Sequence, residues 1–269
     1  MFRVELAVSP GLRFLQLALE GGAVSAVASL VAWLVAGPWA GLVAMFLLSA
    51  ALSDRIVALL EENRTAIWER AESGWLANLR TALGLGAVFA GVLGADFAIA
   101  TVLGPSGRAT WFAFAGGEGA AGASFGGFVP ILVHNLNVLL TAVVLGFLFR
   151  AYGGMLALAW NAGVWSSVLA SAAATHGGGL RVLVAVTPHL LLESAAYVLG
   201  VLAAIFAGKA VLTHDEDLAK LIRPLVACAL MLVLAVGLIA LGAAVEAHLP
   251  ALVLRVSAQR PVGEAPPWL

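Results

Sequence analysis

The stretch VLVAVTPHLLLESAAYVLGVLAAIFA, residues 182–207, decides the fold. It is almost wholly apolar and long enough to cross a hydrocarbon core of about 30 Å as a helix. Three residues break the pattern: Pro188, His189 and Glu193. His189 and Glu193 are four positions apart, about one helical turn, so both side chains share a face. An imidazole and a carboxylate in hydrocarbon cost several kcal/mol unless they are paired or hydrated. The stretch therefore reads as a membrane helix with a polar centre.

The rest of the chain agrees. It is 62% hydrophobic and 11% charged, where a soluble domain of this size carries roughly 25% charge. Mean hydropathy is +1.03. The formal net charge of −1 points away from nucleic acid and from a polybasic lipid-binding tail. The single cysteine, Cys228, excludes an intramolecular disulfide. No Walker loop, Gly-x-Ser-x-Gly or Cys-x-x-Cys occurs, so nothing indicates a nucleotide or another cofactor. Glu5 sits early, and the first apolar run begins near Phe14 and contains Glu20, so it reads as a retained anchor and not a cleaved signal.

The predicted fold is an all-α, polytopic transmembrane helical bundle of about seven segments. They cover residues 14–36, 39–52, 81–103, 128–149, 154–174, 182–207 and 225–245. The second is short, and the count falls to six if residues 39–60 are re-entrant or interfacial. Residues 53–80 hold the densest charge and read as an amphipathic helix on the membrane surface. This divides the chain into an amino-terminal hairpin with its charged segment (1–80), a five-helix core (81–250) and a Pro-rich tail (251–269). With residues 53–80 and 208–223 cytoplasmic, ten of the 14 Lys and Arg lie inside, as positive-inside sorting requires. The expected location is a cell membrane. Glycines such as Gly84, Gly86, Gly91, Gly94, Gly200 and Gly208 suit close helix packing.

The candidate site residues are the polar side chains within the spans: His134, Asn135, Asn161, His189, Glu193 and Glu246, the last placed at the end of its helix. His134 and His189 fall at similar depth, roughly 9–11 Å below the outer surface at ~1.5 Å per residue. Glu20 and Asp96 are further acids within apolar helices. Three readings fit. The polar groups can bond across helices and fix their packing. They can bind a cation, a lipid head group or a peptide. Or His134, His189 and Glu193 can hold a catalytic metal, although His-x-x-x-Glu is not the two-histidine helix of a zincin.

Four features carry a family resemblance: His134-Asn135-Leu136-Asn137, then Asn161-Ala162-Gly163, then Pro188-His189-Leu190-Leu191-Leu192-Glu193, then Glu246 ahead of Pro250. In order and spacing, residues from about 81 to 250 resemble the stage II sporulation protein M family. Leu190 and Ala162 stand where that family has glycine, and the first 80 residues lie outside the resemblance. The resemblance implies a membrane scaffold or accessory subunit, without catalytic residues of its own. Its implied partners are other membrane proteins, including an ATPase or a cell-wall enzyme. The alternative it leaves is a peptide, lipid or ion export component working with a separate ATPase. The small packing faces also suit a homodimer.

Overall fold

A computed structural model describes residues 10–113, 127–175, 179–213 and 218–258. Every element among them is helical: α1 (Pro10–Ala36), a 3-10 turn (Gly37–Trp39), α2 (Ala40–Trp68), α3 (Gly74–Trp111), α4 (Phe128–Thr175), α5 (Gly179–Thr213) and α6 (Leu218–Ala258). A helix closes its backbone hydrogen bonds within itself, which hydrocarbon demands. Residues 114–126, 176–178 with His176, 214–217 with His214, and 259–269 lie outside the described residues.

Among the described residues five helical runs, not seven, are long and apolar enough to cross a bilayer. The difference is one of continuity. The run Gly11–Ile67 joins the first two expected segments, and Phe128–Ser171 joins the fourth and fifth. Each turns back on itself. In the first, Gly37 has φ 52° ahead of Pro38, and Arg13 pairs with Glu62, Glu20 with Arg55, while Ala32 packs with Ala40 and Ala44. Those pairings define an antiparallel hairpin. In the second, Arg150 has φ 55° and ψ −132°, and Gly153 returns against the carbonyl of Leu145.

The charged stretch 53–80 is not a separate surface helix. Residues 53–68 continue α2 without a break, and residues 74–80 begin α3. Its charges pair with one another and with neighbouring helices. Arg13 clasps Glu62, Lys209 of α5 reaches Glu61, and Arg80 and Arg70 flank Glu72. The Arg80 hydrogen bond holds the Glu72 carboxyl below the usual carboxylate range. Exposed pairs of this kind contribute little to stability, because water and salt screen them. Their consequence is spatial, since they gather the ends of α1, α2 and α5 and the start of α3 at one end of the bundle. The chain also stays helical past Glu246 to Ala258, so Glu246 lies inside α6 and not at its end.

In lipid, helices associate through close packing and polar bonds more than through apolar burial. The tightest approach joins α1 to α3. A Cβ on Gly91 would sit 1.8 Å from the Ala18 carbonyl oxygen, and one on Gly21 would sit 2.3 Å from that of Val88. Contacts step along both helices together, from Leu17 against Gly84 to Gly22 against Gly91 and Ser25 against Asp96, so the two run parallel. Gly200 and Gly208 pack against α4, whereas Gly86 and Gly94 have nothing nearby. Across the middle, the Ser166 hydroxyl donates to the Leu93 carbonyl at 3.2 Å. Trp165 stands edge-on to Phe89 and tilted against Tyr197, each at 5.9 Å.

Gly91→Ala should destabilise the purified protein by about 1–3 kcal/mol, the usual cost of overpacking. Gly94→Ala should be near neutral. Thermal unfolding in detergent of the two variants side by side checks this; equal melting temperatures would remove the α1–α3 backbone contact.

Candidate functional site

The described cluster lies where α4, α5 and α6 meet. Asn135 and Glu193 are both buried, 6% and 4% exposed. The Asn135 Nδ2 donates to Glu193 Oε1 at 2.5 Å. This bond crosses between helices 58 positions apart in sequence. The register continues with Leu139 against Gly200 and Gly146 against Ala204, so the first half of α4 runs parallel to α5. The bond thus begins a continuous seam.

On the other side, Gly242 of α6 faces Glu193. A Cβ at Gly242 would lie 3.2 Å from the Glu193 Cγ and 3.7 Å from its Oε1. The missing side chain makes the space in which the carboxyl rests. One turn on, Glu246 is half-buried and close enough to Glu193 for their charges to interact. Tyr197, 1% exposed and one turn after Glu193, lies within reach of the same two charges. His189, one turn before Glu193, is 8% exposed, and its Nδ1 finds no partner among the described residues.

Two expected members are elsewhere. His134 is on the exposed surface of α4. Adjacent helical positions differ by about 100°, so with Asn135 turned inward His134 must turn out. Asn161 is buried at 6%, but its Nδ2 donates to the Ala157 carbonyl of its own helix at 2.9 Å, and it makes no described bond to the cluster. Among the described residues no three His, Cys, Asp or Glu come together as a metal site. The set His134, His189 and Glu193 is therefore not assembled. Gly242 and Tyr197 escaped the sequence reading. The spacing Gly242-x-x-x-Glu246, which puts both on one face, was the available signal.

Chemically, the cluster offers acceptors. Glu193 receives one neutral amide N–H, while a carboxylate can accept about four hydrogen bonds. Among the described residues no Lys or Arg forms an ion pair with Glu193 or Glu246.

Removing the donor should be costly. Asn135→Leu leaves a buried acid without its partner, a loss of about 1–3 kcal/mol. Asn161→Ala removes only a bond within one helix and should cost less. Thermal unfolding in detergent decides the order; an Asn135→Leu variant as stable as Asn161→Ala would show that the interhelical bond contributes nothing.

Comparison with known proteins adds the lineage. The family model described as stage II sporulation protein M matches residues 81–249. No curated protein and no solved structure matches the chain. The matched region contains Asn135, His189, Glu193, Gly242 and Glu246 and leaves out α1 and α2. An all-helical chain with bilayer-length apolar runs, matched over most of its length, belongs to the stage II sporulation protein M family.

Proposed function

We propose that this protein is an accessory membrane subunit whose Asn135–Glu193–Glu246 pocket receives a polar or basic side chain from a membrane-embedded partner. The observation that supports the reading is a pair of interior acids with no cation paired to either among the described residues. Two neighbouring carboxyls lie at the meeting of α4, α5 and α6, and the one described hydrogen bond is the neutral Asn135 amide on Glu193. Partial burial of acids without a cation is unfavourable, and a partner's Lys, Arg or amide would supply what is missing. His189 adds an unpartnered nitrogen beside them. In the orientation that fits, the paired charges around Glu61, Glu62 and Glu72 face the cytoplasm, and the pocket opens in the outer half of the bilayer.

The test is capture of partners by the full chain. It is purified from its native membrane after crosslinking, as wild type, Glu193→Gln and Asn161→Ala. A membrane protein recovered with wild type and Asn161→Ala, and lost with a monodisperse Glu193→Gln, is the expected result. Equal recovery with Glu193→Gln sinks the proposal. So does aggregation of Glu193→Gln, which would make the cluster purely structural. An ATPase as the partner recovered would place the subunit in an export machine.

A further inference from the structure

A second acid lies outside the cluster and is used by nothing described so far. Asp96 is in α3, within a run apolar enough to span the membrane. Its Oδ1 accepts the Ser25 hydroxyl of α1 at 2.7 Å. Ser29 is one turn beyond Ser25, and the two serines are 1% and 6% exposed. These three side chains share a cavity between α1, α2 and α3 with room for a water-sized particle. Its cover is built by the chain itself. At Gly104 (φ 66°) and Pro105 the helix breaks, and the following turn brings Trp111 and Phe112 to the cavity wall. Trp111 packs against the Ala32, Ala40 and Ala44 cluster, and Phe112 against Ala100 and Ala170.

No Lys or Arg among the described residues forms an ion pair with Asp96. Arg108, the buried cation of the same helix, instead donates to the Ala100 carbonyl at 3.2 Å. We propose that the Asp96–Ser25–Ser29 cavity is a binding site for one small monovalent cation, sodium being the fitting size. Three features select that ligand. The donors are hard oxygens, which suit alkali cations and not the softer metals that nitrogen and sulfur attract. One carboxylate neutralises one positive charge, whereas a divalent ion would keep a net charge in hydrocarbon and is served by more acidic sites. The serines add neutral oxygen donors to the cation, because each hydroxyl retains lone pairs after donating its proton.

Dicyclohexylcarbodiimide, which attacks carboxyls in apolar surroundings, reports occupancy of the site. The full chain in detergent is treated in sodium chloride or in choline chloride of equal ionic strength, and modification at Asp96 is read by peptide mass spectrometry. Expected is labelling at Asp96 in choline that slows about tenfold at sodium ten times its Kd. Asp96→Asn should lose this label. Ser25→Ala/Ser29→Ala should keep the label and lose the sodium protection. Equal labelling rates in the two salts overturn the proposal, as does a monodisperse wild-type sample with no label at Asp96. Protection that survives the double serine substitution overturns it too.

Discussion

Hydrocarbon offers no hydrogen-bond partner, so polar groups within the spans are stabilised by partners inside the protein. That constraint makes each described element a helix. The charges that need water, Arg13, Glu61, Glu62, Glu72, Arg80 and Lys209, are gathered into pairs at one end of the bundle. The same constraint explains the interior bonds: Ser49 and Asn161 turn back to carbonyls of their own helices, while Ser166 reaches the Leu93 carbonyl of the next. Against this background Glu193 and Asp96 stand out. Each has one neutral donor, Asn135 or Ser25, where an ionised carboxylate would ordinarily have several or a cation.

Much of this was legible in the sequence because hydropathy and helical period are one-dimensional signals. The membrane class follows from apolar run length, and the sharing of a face by His189 and Glu193 from their spacing. The turns at Gly37-Pro38 and Arg150 were visible as breaks between apolar runs. What was not legible depended on rotation. Nothing in His134-Asn135 says which of two adjacent polar residues turns inward, and the expectation favoured His134 together with its neighbour where only Asn135 belongs. Asn161 matched in depth but spends its amide on its own helix. Gly242 was silent for a related reason: a glycine signals where a neighbour comes close only once that neighbour is known.

The length of α2 was misread for a different reason. Composition changes sharply near Asp54, and a change from apolar to charged looks like an element boundary. The helix instead continues to Trp68, because Arg55, Glu61 and Glu62 find partners on α1 and α5. The same geometry changes how the amino-terminal hairpin should be viewed. It lies outside the family match, yet Gly21 and Gly22 meet the α3 backbone at Val88 and Gly91. Contact at that distance is not the mark of a loosely attached addition. The family core in this chain has α1 as one of its packing surfaces.

Small residues and interior acids are linked at Glu193 and at Asp96. Gly242 leaves the space occupied by the Glu193 carboxyl. Gly91, little more than a turn before Asp96, lets α1 come close enough for Ser25 to donate. A carboxyl side chain is short, so it reaches a donor on the next helix only if the two backbones are drawn together, and glycine is the residue that permits this. The glycines that pack the bundle are thus also the residues that keep its acids bonded and away from lipid. A larger side chain at either glycine would cost packing and strand a polar group in the same step, so packing and polar chemistry cannot vary independently at these positions.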